Sequence, residues 1–298
     1  MIFAGPGSGK TKTLVHKIAH LLTKENKKSE NFLMLAHSRV AVLEFRDRLY
    51  KLLGEQAWGV KILTFHSFAL SLLGERVKDE KELEGKITQA TQALRNNEIN
   101  LPYIEMLVLD EYQDVNEESY EFIKAIYEKM SGEKQIIAVG DDDQLIMEFL
   151  GADKKFIERF EQDFGVQDNG QKSFSTHTLS INYRSATKII AFTNAYRQFL
   201  ESRLKNDDLQ VNPKNKQEGF ISLTQHKFNL SLKEMASEIQ RILIKNKKKS
   251  IAVLLRNNDE VLAMRYELEN LGVRANYILN REGFQAGNLI ELWEFLEC

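Results

Sequence analysis

The chain has 298 residues, 43% hydrophobic and 28% charged, with a net charge of −2. These proportions are those of a soluble globular protein with one large or two ordinary domains, and the near-neutral balance excludes a global positive field, so any nucleic-acid contact must come from local patches. The single cysteine, Cys298, excludes an internal disulfide framework or multi-cysteine metal site and suits a reducing cytoplasm, while no apolar run approaches the ~20 residues of a membrane span and no signal segment is present.

Residues 1–4 read as a buried strand, and Leu14, Ile18, Leu21 and Leu22 recur at helical spacing. Between them, Ala4-Gly5-Pro6-Gly7-Ser8-Gly9-Lys10-Thr11 fits the phosphate-loop pattern, with Ala at the first position where the strict form has Gly. The glycines and Ser8 let successive backbone N–H groups turn inward around a phosphate, and the following helix directs its positive end at the same point. Lys10 adds a point charge for the β- and γ-phosphates, and the Thr11 hydroxyl is placed to ligate Mg²⁺.

Residues 31–36 predict a second strand, followed by a helix with Ala41, Phe45, Leu49 and Leu52 on one face. Residues 60–63 predict a short strand, and Thr64-Phe65-His66-Ser67 opens the next helix. The polar stretch 74–100 predicts a small helical excursion. Residues 106–109 form another strand pattern ending at Asp110-Glu111, and Asn116 caps a helix carrying Tyr120, Ile123 and Ile126. A strand over 135–139 ends at Gly140-Asp141. The alternation predicts an α/β fold with a mostly parallel sheet.

The stretch 162–176, with Gly165 and Gly170, reads as an interdomain connection. Strands are expected at 178–181, 220–224 and 251–255, and helices at 185–200, 231–244 and 260–271. Lys247, Lys248 and Lys249 read as a solvated helix end. Two domains follow, 1–175 and 176–298.

Leu107-Val108-Leu109-Asp110-Glu111-Tyr112-Gln113-Asp114 places two acids at a strand's C-terminal end, where open α/β sheets bind ligands. Beside a phosphate loop, Asp110 is the residue to hold Mg²⁺, and Glu111 the residue to orient and polarise the attacking water. Gln144, in Val139-Gly140-Asp141-Asp142-Asp143-Gln144, can reach the γ-phosphate or its water.

In order, these motifs resemble those of the UvrD/Rep/PcrA-like superfamily 1 DNA helicases. Ala4 to Thr11 looks like motif I, residues 33–49 motif Ia, and Leu63-Thr64-Phe65-His66-Ser67-Phe68 motif Ib. Asp110 to Asp114 is similar to motif II, residues 139–152 to motif III, and Asn182-Tyr183-Arg184-Ser185 to motif IV. The resemblance implies a RecA-like P-loop NTPase domain followed by a second, incomplete RecA-like α/β domain. It implies ATP and Mg²⁺ as cofactors, with Tyr183 stacking on the adenine and Arg184 reaching the γ-phosphate from the second domain. It also implies contact with single-stranded or partly duplex DNA through Ser38, Arg39, Thr64 and His66, base stacking on Phe149, and 3′-to-5′ polarity.

The chain departs from the family pattern in places. Motif III carries Met147, Phe149, Leu150 and Gly151 where the family usually shows Tyr-x-Trp/Phe-Arg-Gly, and motif Ia reads Ala36-His37-Ser38-Arg39 where Thr-Phe-Thr-Asn is usual. No adenine-motif glutamine precedes the first strand, and motifs V and VI do not follow. The expectation is a cytoplasmic ATP-dependent DNA helicase or translocase in truncated form, completed by a missing motor segment or a partner subunit. A non-translocating nucleotide- or DNA-binding module derived from a helicase is the alternative, and a phosphate-loop kinase is a third class.

Overall fold

Short apolar strands alternate with amphipathic helices in the computed structural model, which describes residues 1–77, 80–145, 151–165, 173–200, 203–205, 207–223, 228–245 and 250–279. The elements in order are β1 (Ile2–Ala4), α1 (Lys10–Thr23), β2 (Phe32–Ala36), α2 (Arg39–Leu53), β3 (Lys61–Thr64), α3 (Phe65–Leu73), α4 (Lys86–Arg95), β4 (Met106–Leu109), α5 (Glu117–Lys129) and β5 (Gln135–Gly140). They continue with α6 (Lys155–Glu158), α7 (Phe160–Phe164), β6 (His177–Leu179), β7 (Ile181–Asn182), α8 (Thr187–Arg197), β8 (Gln210–Val211), α9 (Phe228–Lys245) and α10 (Asn258–Asn270). No helix among the described residues is long and apolar enough to cross a membrane.

Six strands form one parallel sheet in the order β3-β2-β4-β5-β1-β6. The strands at its centre are buried on both sides, so they read as continuous apolar runs with no polar alternation. Within β2, Leu33 and Leu35 join one core layer with α3, α4 and α5, while Phe32, Met34 and Ala36 join the other with α1 and α2. The period of two along the strand thus assigns each residue its layer.

The helix starts are where cap chemistry puts them. The Ser38 and Thr64 hydroxyls and the Asn116 side chain each accept a hydrogen bond from the backbone N–H three residues on. The polar stretch 74–100 contains α4, whose Ile87, Ala90, Ala93 and Leu94 are buried at helical spacing.

The structure modifies the sequence reading at several points. The stretch 162–176 is partly core, because Phe164 is buried and Phe174 packs against the same layer. Beyond it, β6 pairs with β1 and completes the first sheet, so the compact units divide after Ile221, as 1–221 and 222–298. Among the described residues of 220–224 and 251–255 no strand forms; Phe220 is 83% exposed. Within the second unit, α9 and α10 pack through Ala236, Ile239, Met264 and Leu268, with Val253 and Leu255 against them. Met147, Phe149, Leu150 and residues 247–249 lie outside the described residues.

Candidate functional site

All six strands of the main sheet run the same way, so the ends of β1, β4 and β5 open on one edge, where loops carry polar side chains over a common crevice. The loop from Gly5 to Gly9 leaves β1 and closes on itself. Ser8 Oγ donates to the Gly5 carbonyl at 2.7 Å, and the Ser8 N–H reaches the same oxygen at 3.2 Å. Gly7 and Gly9 have φ of +70° and +91°, a left-handed backbone that costs little only for glycine. Gly9 precedes α1 with no side chain capping the helix, and a Cβ built there meets nothing within 4 Å. A helix N-terminus without a side-chain cap leaves its first-turn amides for another acceptor, such as an anion.

Lys10 reaches across to the end of β4, where its Nζ lies 3.0 Å from Glu111 Oε2. Asp110 is buried, and one of its oxygens accepts the Glu111 N–H at 3.0 Å. Glu111 itself holds φ 49° and ψ 51°, a left-handed conformation worth roughly 1–3 kcal/mol of strain in a non-glycine residue. Such strain persists only where surrounding structure enforces it, and Gln113 is one enforcer. Its Nε2 donates to Glu111 Oε2 at 2.9 Å, and its Oε1 accepts the Asp141 N–H at 3.0 Å, which ties the end of β4 to the end of β5. Gly140 permits this approach, since a Cβ there would lie 3.1 Å from Gln113 Oε1. The sequence reading quoted Gln113 within its motif and gave it no role; its burial between two strand ends is a tertiary fact.

Asn182, Tyr183 and Arg184 belong to the first compact unit and dock on the phosphate loop. Asn182 is 2% exposed; its Nδ2 donates to the Pro6 carbonyl at 2.7 Å while its Oδ1 accepts the N–H groups of Arg184 and Ser185. The Tyr183 N–H donates to the Gly7 carbonyl at 2.9 Å. A Cβ on Gly7 would stand 2.8 Å from Arg184 Cβ, and one on Gly5 would stand 2.4 Å from Leu209 Cδ2. The Tyr183 and Arg184 side chains are exposed beside the loop. Gln144 turns its amide to the Asp141 carboxylate.

The residues expected at DNA lie on adjacent strand ends, since Ala36 of β2 is in register with Thr64 of β3. Ser38 and Arg39 are exposed, and His66 is half-buried with its pKa pushed down by burial. Thr64 is buried, and its hydroxyl both accepts from the Ser67 N–H and donates to Ser67 Oγ. Phe65 belongs to the core. Phe149 falls outside the described residues.

Burial, and then the neighbouring Glu111 charge, push the carboxyls of Asp110 and Asp114 up to about 6. Their folded values exceed the ordinary carboxylate value of 3.8, so the folded chain takes up protons that the unfolded chain has released. The stability these groups contribute is fully present below about pH 4 and is lost as pH rises through about 6. Asp110→Asn is expected to flatten the fall in melting temperature between pH 4 and pH 7 in metal-free buffer. A steeper fall than in the unsubstituted chain would contradict this account of Asp110.

A family model described as an AAA domain matches residues 1–150, and one described as a UvrD-like helicase C-terminal domain matches residues 177–292. The chain is 27% identical over 291 aligned residues to DNA helicase II of Salmonella typhimurium, covering 68% of this chain and 39% of that protein. It is 25% identical over 280 residues to the ATP-dependent DNA helicase PcrA of Staphylococcus aureus, covering 65% and 37%. It thus spans less than half the length of these relatives. The solved Pyrococcus furiosus Hef helicase domain aligns with 92% of this chain and 50% of its own, at a TM-score of 0.36 and 15% identity. With a phosphate loop facing an Asp-Glu pair, and family models matching on both sides of residue 175, the chain belongs to the UvrD/Rep/PcrA-like superfamily 1 helicases.

Proposed function

We propose that this chain binds ATP with Mg²⁺ in the crevice between β1 and β4, hydrolyses it, and couples turnover to movement along single-stranded DNA. The observation that carries the reading is the 3.0 Å pair between Lys10 and Glu111, which joins the phosphate loop to the Asp-Glu turn in one site. The residues fit the ligands. Uncapped amides at Gly9 and the Lys10 ammonium suit a polyphosphate. The carboxylate of Asp110, buried at the strand end, and the hydroxyl of Thr11 are hard oxygen donors that suit Mg²⁺. When bound, Mg²⁺ supplies charge neutralisation between the phosphate oxygens.

On this reading Lys10 leaves Glu111 for the phosphates when ATP enters, and the freed carboxylate accepts a proton from the attacking water. Glu111 is held for that task by its own strained backbone and by Gln113. Tyr183 offers a face for adenine, Arg184 a charge for the γ-phosphate, and Gln144 a reporter of phosphate state. DNA lies over the ends of β2 and β3, where Ser38, Arg39 and His66 meet it, and a DNA track suits a cytoplasmic location.

The measurement is steady-state ATP hydrolysis with and without single-stranded DNA in the presence of Mg²⁺. Stimulation of turnover by DNA is the expected result. Nucleotide binding without turnover at any DNA concentration would instead support a non-translocating module. The Thr64 hydroxyl, which accepts from the Ser67 N–H and gives its own proton to Ser67 Oγ, favours this second reading.

A further inference from the structure

The carboxyl end of β5 carries three consecutive aspartates, the buried Asp141 and the partly buried Asp142 and Asp143, which are met by the buried Arg197 and Lys205 and the partly buried Arg203 from a distant part of the chain. Lys205, 3% exposed, pairs with Asp141 and lies 3.5 Å from Asp142 and 3.2 Å from Asp143. Arg197 pairs with Asp143, and Arg203 Nε lies 2.8 Å from the same carboxylate. The backbone N–H groups of Leu204 and Lys205 both donate to Asp142 Oδ2, at 2.6 and 3.2 Å.

We propose that Lys205 is a positioning residue for ATP hydrolysis, holding Asp141 so that Gln113 keeps Glu111 directed at the phosphate loop. The inference rests on the ATP reading above.

Connectivity is the first support. Asp141 accepts from Lys205 through one carboxylate oxygen and from Gln144 through the other, and its own N–H donates to Gln113, which donates to Glu111, which pairs with Lys10. An unbroken polar chain therefore runs from Lys205 to the phosphate loop. Energetics are the second support. A largely buried network of three anions and three cations, with Asp141, Arg197 and Lys205 at its centre, carries a desolvation penalty that Coulomb attraction only roughly offsets, so apolar side chains of similar volume would serve stability as well. What such a network provides is fixed geometry, and here it fixes the strand end that carries Gln144 and anchors Gln113. Placement is the third. Leu209, four residues past Lys205, packs directly over Gly5, so the same stretch of chain touches both halves of the crevice. The three aspartates have the spacing of a cation site, but these cationic side chains already fill that place.

The test uses the full chain with Lys205→Met and Lys205→Arg. Hydrogen exchange at the Asp141 amide is expected to quicken ~10-fold or more in the Met variant while amides of β2 stay as protected as before, the mark of local opening. ATP turnover is expected to fall ~10- to 100-fold in kcat with KM within ~3-fold, as loss of alignment without loss of binding predicts. Lys205→Arg restores both. Unchanged exchange at Asp141 overturns the proposal whatever the turnover; so does a kcat within ~2-fold of the unsubstituted chain, or an effect confined to KM. If the Met variant fails to fold, Asp141→Asn, which keeps the N–H and the side-chain shape, is read by the same criteria. Failure of the unsubstituted chain to bind ATP would instead remove the ATP reading itself, and that titration is done first.

Discussion

Lys10→Ala is expected to weaken ATP binding on the order of 100-fold or more, measured by titration with a fluorescent ATP analogue. The side chain, one residue past the end of the loop, is 10% exposed and its ammonium rests 3.0 Å from Glu111 Oε2; on the proposed reading it moves from there to the phosphates. Truncating one member of a poorly solvated charge pair costs about 2–5 kcal/mol, and ~1.4 kcal/mol is a factor of ten in affinity. The loss is expected to fall mainly on ATP and ADP and much less on AMP, since the proposed site directs the loop amides and Lys10 to the outer phosphates. A variant that bound ATP within ~3-fold of the unsubstituted chain would show that Lys10 belongs to a structural pair with Glu111 and not to a phosphate site.

Glu111→Gln separates binding from chemistry. The glutamine is isosteric and retains an oxygen to accept from Gln113 Nε2. It cannot take a proton from water, so turnover is expected to fall ~10²- to 10⁴-fold. Affinity for ATP is expected to hold or tighten, because Lys10 no longer has to leave an anionic partner 3.0 Å away. Single-turnover hydrolysis alongside equilibrium binding checks both halves. Equal loss of binding and turnover would mean that Glu111 shapes the loop and does not act on water.

Much of the fold was legible in the chain itself. The phosphate loop announces itself because phosphate chemistry demands glycine at positions of left-handed backbone, and Gly7 and Gly9 adopt that backbone. Asn116 and Thr64 mark helix starts because their side chains satisfy amides three residues ahead, a local interaction that local sequence records. Buried strands such as β2 and β4 are written as apolar runs. The structure departs from the sequence reading where the determining contact is distant. The stretch 162–176 looks like a linker because it is polar and carries glycines, yet Phe164 and Phe174 anchor it to the core. The alternation at 220–224 suggests a strand, but a strand needs a neighbour to pair with, and none is assigned there among the described residues. Asn182 reads as part of a motif, but nothing local says that its amide would bond the Pro6 carbonyl 176 residues earlier. The ion network around Lys205 was invisible for the same reason, because its aspartates and its cations are more than fifty residues apart.

The sheet order also carries a consequence for how the molecule is made. Strand β1 pairs with β5 and β6, with Ile2 in register with Val139 on one side and His177 on the other. Strand β1 therefore has no sheet partner until β5, which starts only at Gln135, has been made. Strands β2, β3 and β4 can associate among themselves sooner, since their pairings span shorter loops. Non-local pairings of this kind form slowly, because loop closure is paid before contacts repay it. The loop that follows β1 is held at the sheet edge only once β5 and β6 have paired with that strand. On the ATP reading proposed above, a nascent chain would acquire nucleotide binding only after β6 has emerged and paired with β1, which makes nucleotide capture a reporter of that pairing.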